Sequence, residues 1–83
     1  MKKSKNIAAR VIDGNAYIIL PEESKLFQLN DVGTFIWNML DKSHSIEEIV
    51  DAVLDEFEVE RTEAEKDVFK FLGKLFDKKL IQK

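Results

Sequence analysis

An α+β domain, with an N-terminal three-stranded antiparallel β-sheet followed by three α-helices, is the fold class that these 83 residues predict. Two patterns carry that prediction. Up to residue 29 the apolar side chains fall in short β-branched and aromatic runs separated by turn residues. Beyond residue 30 they recur every three or four positions, the period of a helix with one buried face. The length fits one domain, and 45% hydrophobic with 35% charged residues suits a folded chain rather than a disordered one.

The elements follow in order. Residues 1–6, Met1-Lys2-Lys3-Ser4-Lys5-Asn6, are polar and basic and are expected to form a flexible N-terminus, with residues 7–83 as the single folded unit. Residues 7–13 are rich in Ile and Val and run into Asp13-Gly14-Asn15, where Gly and Asn tolerate the positive φ of a tight hairpin. Ala16-Tyr17-Ile18-Ile19-Leu20 forms the second strand, which Pro21 stops because it has no N–H to donate. After Glu22-Glu23-Ser24 the run Lys25-Leu26-Phe27-Gln28-Leu29 makes a third strand. Its other edge has no sequence-adjacent partner. Asn30 or Asp31 caps a first helix with Val32, Phe35, Ile36, Met39 and Leu40 on one stripe and Trp37 to its side. Ser45-Ile46-Glu47-Glu48 reads as a capping box and opens a second helix with Ile46, Ile49, Val50, Val53, Leu54 and Phe57 on one face. Thr62-Glu63-Ala64-Glu65 reads as another, opening the longest helix over roughly 63–79. Leu80 and Ile81 close the chain as an apolar tail or short strand. A β-meander followed by three helices resembles a winged helix-turn-helix scaffold.

Composition excludes several chemistries. Without cysteine there are no disulfides, thiolate metal sites or thiol nucleophile, and the single His44 leaves no nucleophile–base–orienter set. No cofactor, no metal and no enzymatic activity are expected. The basic start is broken by Arg10 and Asp13 before a signal-peptide core can form, and no run approaches the ~20 apolar residues of a membrane span. A cytoplasmic location is expected, with no membrane partner.

The net charge of −3 is unevenly spread. Residues 41–67 hold eleven acids against three bases, whereas residues 68–83 hold five lysines against Asp77. The scaffold suggests DNA, yet the second helix carries Glu47, Glu48, Asp51, Asp55 and Glu56 and no base, so it repels phosphate. The acids at 55–67 lack the loop order of a calcium site. His44 reads as a surface residue and Trp37 as core. Lys66, Lys70, Lys74 and Lys78 span an arc of about 120° beside Val68, Phe71, Leu72, Leu75 and Phe76. This is either a solvated face next to a core face or a lysine-rimmed apolar groove for an acidic peptide. Leu26 and Phe27 are adjacent and must point to opposite faces of the sheet, so either a helix covers both faces or one side chain is left for a partner.

The runs Leu29-Asn30-Asp31-Val32-Gly33, Leu40-Asp41, Ile49-Val50 and Asp67-Val68-Phe69-Lys70-Phe71-Leu72-Gly73-Lys74-Leu75, taken in order after Leu20-Pro21-Glu22, resemble the PqqD family. These are the pyrroloquinoline quinone biosynthesis protein D and its relatives, also called RiPP recognition elements. The chain departs from the family pattern at Lys42 and Lys79, where glycine is common. The resemblance implies a non-catalytic adaptor. It binds the leader region of a ribosomally made precursor peptide as an added antiparallel strand and presents it to a modifying enzyme such as a radical SAM maturase. The implied peptide-binding residues are Lys25, Leu26, Phe27, Gln28 and Leu29 on the third strand, facing Asp67, Val68, Phe71, Leu72, Lys74 and Leu75 on the third helix. The protein acts as a monomer or weak dimer in that reading. The competing expectation is a generic winged-helix protein-interaction or DNA-associated module whose groove is simply core.

Overall fold

The computed structural model describes residues 2–4, 7–20, 24–42 and 44–82. The expected turn residues Pro21, Glu22 and Glu23, and Met1, Lys5, Asn6, Ser43 and Lys83, lie outside them. The strands are β1 (Lys2–Lys3), β2 (Ala8–Ile12), β3 (Asn15–Leu20), β4 (Lys25–Gln28) and β5 (Ile81–Gln82); the helices are α1 (Asp31–Met39), α2 (Ile46–Glu56) and α3 (Arg61–Asp77). β2, β3 and β4 form the antiparallel meander in sequence order. Asp13 and Gly14, both at positive φ (53° and 84°), make the two-residue turn between β2 and β3, in the conformation that matches the twist of a hairpin.

Register decides what faces the core. Ile18 lies opposite Phe27, and Ile19 opposite Leu26. Ala16 and Ile18 are fully buried, so their face of the sheet meets the helices and Phe27 joins it. Leu26 points the other way and is 63% exposed. Among the described residues no helix covers that outer face at Leu26. One buried polar link ties the sheet to α1: the Thr34 hydroxyl accepts the Ala16 N–H at 2.8 Å, while the Ala16 carbonyl accepts the Leu29 N–H at 2.8 Å.

The helices start as their caps dictate, with one exception. Asn30 accepts the Gly33 N–H at 2.8 Å and so caps α1. At Ser45 both arms of the capping box form. The box expected at Thr62 does not form. α3 begins two residues earlier, its cap Glu60 making no side-chain bond, and Thr62 lies already inside the first turn. At that start the exposed Arg61 side chain reaches Asp51 of α2 at 3.1 Å and also meets Glu65 at 3.7 Å. Between helices, Ile36, Trp37, Ile49, Val50, Val53, Val68, Leu72 and Leu75 make the shared core with Leu80 and Ile81.

The N-terminus departs from its expected looseness at residues 2–4. Lys2 and Lys3 pair antiparallel with Gln82 and Ile81, and the Ser4 N–H donates to the Leu80 carbonyl at 2.8 Å. Lys3 adds an ion pair to Asp41 at 2.6 Å and places its ammonium 4.4 Å from the Trp37 ring centroid. A basic hexapeptide carries no apolar pattern, so this tether is invisible until the two chain ends are brought together.

Candidate functional site

Among the described residues β4 is an edge strand, with β3 on one side only. Backbone groups in an antiparallel ladder alternate sides, and the Leu29 N–H points at Ala16 of β3. Lys25 and Phe27 share that parity. Leu26 and Gln28 therefore present their N–H and C=O groups at the open edge. Side chains alternate too, so Lys25, Phe27 and Leu29 point toward α3 while Leu26 and Gln28 stand on the outer face.

Between this edge and α3 runs a continuous trough of three overlapping hollows. The middle one, about 270 Å³, is lined by Phe27, Gln28, Leu29, Asn30, Phe71, Lys74, Leu75, Lys78 and Leu80. It shares Asn30, Phe71 and Lys74 with a smaller hollow of about 140 Å³ that adds Val32, Gly33, Ile36, Asp67 and Lys70. At its other end it shares Phe27 and Lys78 with a hollow of about 290 Å³ that adds Lys25, Asp77 and Lys79. The floor is apolar and the rim basic. The Lys78 ammonium lies 4.7 Å from the Phe27 ring centroid, where the ring's negative face attracts it.

Local sequence explains the shape. Gly33 has no Cβ because there is little room for one: an added Cβ would sit 3.1 Å from Phe71 and 3.1 Å from the Asn30 side-chain oxygen. The Leu29-Asn30-x-x-Gly33 spacing thus does two jobs. Asn30 caps α1 on the Gly33 N–H, and the bare glycine lets the Phe71 ring come down as the trough wall. Past the end of α3 the Leu80 N–H donates to Leu75 and the Lys79 N–H to Phe76, a Schellman closure that turns Leu80 back under the trough. That closure needs a left-handed residue, and Lys79 supplies it at φ 61° where glycine is usual.

Of the residues expected to bind peptide, Lys25, Phe27, Gln28, Leu29, Asp67, Phe71, Lys74 and Leu75 line the trough. Val68 and Leu72 line none of these hollows: both are buried in the core, on the same stripe of α3 as Leu75. Leu75 is buried as well and forms floor rather than wall. Asn30, Val32, Gly33, Ile36, Lys70, Asp77, Lys78, Lys79 and Leu80 also line it and lie outside the expected set. Lys70 and Lys78 carry a signal in the four-residue lysine spacing; Leu80 carries none, because only the helix closure directs it inward.

A separate hollow of about 330 Å³ lies between α2 and α3, lined by Ile46, Glu47, Val50, Arg61, Glu65 and Phe69. It is bridged by the Arg61 ion pairs and borders no open strand edge. α2 exposes Glu47, Glu48, Asp51, Asp55 and Glu56, a surface that repels a polyanion. Hydrogen bonds donated to it by the Ser45 N–H and then by the Ser45 hydroxyl hold the Glu48 carboxyl below the ordinary glutamate range. His44, half-buried just ahead of that cap, adds a smaller pull in the same direction. Among the described residues no group of three or more His, Asp or Glu side chains converges on a metal position, and no helix is long and apolar enough to cross a membrane.

No curated protein matches the chain. Two solved structures share its fold over nearly its whole length. "TbiB1 in Complex with the TbiA(beta) Leader Peptide" is 34% identical, with a TM-score of 0.90 over 99% of this chain and 95% of that one. "Lasso peptide synthetase B1 complexed with the leader peptide" is 24% identical, with a TM-score of 0.89 over 99% of this chain and 96% of that one. The family described as Coenzyme PQQ synthesis protein D (PqqD) matches residues 16–81, from the second residue of β3 to the first of β5. With the open β4 edge and the Leu-Asn-x-x-Gly corner both in place, the chain belongs to the PqqD family.

Proposed function

We propose that this chain is a non-catalytic adaptor that captures the leader region of a ribosomally synthesised precursor peptide and presents it to a modifying enzyme. The leader adds as an antiparallel strand to β4, in the trough against α3. The observation that carries this reading is the unpaired edge at Leu26 and Gln28 beside an apolar hollow of about 270 Å³. The relative at 34% identity, solved with a leader peptide, supports it.

Magnitudes say where selectivity lies. Two outward-facing residues offer about four backbone hydrogen bonds, each worth roughly 0.5–1.5 kcal/mol net. Ordering a flexible leader costs several kcal/mol, so the backbone bonds alone leave little affinity. Side chains seated against Phe27, Phe71 and Leu80 supply the remainder. The lysine rim attracts leader carboxylates and speeds encounter. Held by its leader, the distant core region meets the partner's active site at a raised local concentration. A radical SAM maturase is one modifying partner of this kind, and the cysteine-free composition suits the reducing cytoplasm where such chemistry operates.

Titration calorimetry with the N-terminal segment of a short peptide encoded beside this chain tests the reading. Binding that disappears when that segment is removed supports it. Equal binding of the core segment alone overturns it.

A further inference from the structure

The trough is not symmetric along its length. The end beside the start of β4 gathers Lys25, Lys78 and Lys79 around one carboxylate, Asp77. The opposite end sets Asp67 against Lys70 and Lys74. Lys79 is also the residue whose backbone is held left-handed, at φ 61°, where a side chain is disfavoured and glycine is free. A lysine kept at a strained position on the rim of a binding trough points to a use for its charge.

Resting on the strand-addition reading, we propose that this end is a carboxylate subsite and that the bound peptide carries an apolar residue followed two positions later by Asp or Glu. The spacing follows from the register. In an antiparallel pair, directly opposed residues share a face, and only every second residue faces α3. A peptide residue opposite Phe27 therefore drops into the apolar middle of the trough. Because the added strand runs opposite to β4, the residue opposite Lys25 lies two positions nearer the peptide's C-terminus. That side chain enters the hollow rimmed by Lys78 and Lys79. The order is fixed as well: the acidic residue follows the apolar one and lies on the side from which the precursor continues toward its core region.

A displayed library of random dodecapeptides, selected on the intact protein, is the probe. The expected result is enrichment of apolar-x-Asp/Glu in that order. Lys25→Glu should shift the third position toward Lys or Arg. Lys79→Gly should weaken the acidic preference severalfold while raising the melting temperature by a few degrees, which separates the charge from the fold. An apolar preference with no acidic partner, or with the acid ahead of the apolar residue, overturns this proposal and leaves strand capture standing. Preferences unchanged in both variants overturn it too. Failure to enrich any peptide overturns strand capture itself.

Discussion

Thr34 shows how one hydroxyl positions a binding edge. Its oxygen is the partner of the Ala16 N–H, which has no strand partner at that point because Leu29 has already turned toward α1. Thr34→Val keeps the volume but strands that N–H in the interior, so unfolding by denaturant should show a loss of about 1–3 kcal/mol. Lys79 works in the other direction. Lys79→Gly removes the left-handed penalty at the α3 closure and should stabilise the fold by roughly 0.5–1 kcal/mol after the added freedom of the unfolded chain is counted. At the α2 cap the sign is set by Glu48, whose carboxyl is held below its ordinary value by the Ser45 N–H. A depressed folded value stabilises at pH above the unfolded value and loses that contribution as pH falls through the folded one. Stability measured from pH 6 downward should therefore fall less steeply below about pH 4.5 in Glu48→Gln than in the parent, since glutamine does not titrate.

Among the elements, α3 serves core and trough with different residues, and substitutions should separate them. Phe71→Ala, at a half-buried wall position, should leave the protein folded and weaken leader binding by about 2 kcal/mol, read by calorimetry. Leu75→Ala instead opens a cavity at a position 2% exposed, and its main effect should be a loss of stability of about 2–5 kcal/mol. The helical stripe on its own makes these two residues look equivalent. They part company because Leu80 folds back over Leu75, a contact created by the closure after the helix. The same limit applies to Leu26 and Phe27. Adjacency shows that they face opposite ways, but choosing which one faces the helices requires the pairing of Ile18 with Phe27, a relation between strands. Local signals fared better. The Ser45 box and the hairpin at Asp13-Gly14 depend on residues within a few positions of each other, and both form, though the positive φ falls on Asp13 and Gly14 while Asn15, expected in the turn, opens β3. The Thr62 box, with an equally good local signal, does not form, because α3 already begins at Arg61 and Thr62 lies inside its first turn.

For the whole molecule, charge and chain ends are organised around the trough. Acidic α2 and the lysine-bearing face of α3 give the protein a negative side and a positive side, with the open strand on the positive one. The fold class was readable because its periodicities are local, and so was the existence of an open edge. The clasp between β1 and β5 was not, since it joins residues at opposite ends of the chain through Lys3, Ser4 and Ile81. On this reading a peptide completes the sheet at β4. Amide hydrogen exchange with and without the leader segment tests it most directly. Protection gained at the Leu26 and Gln28 amides, with Lys25 and Phe27 little changed because they already face β3, is the predicted result. Unchanged exchange at Leu26 and Gln28, with new protection around Phe69 between α2 and α3, would contradict it.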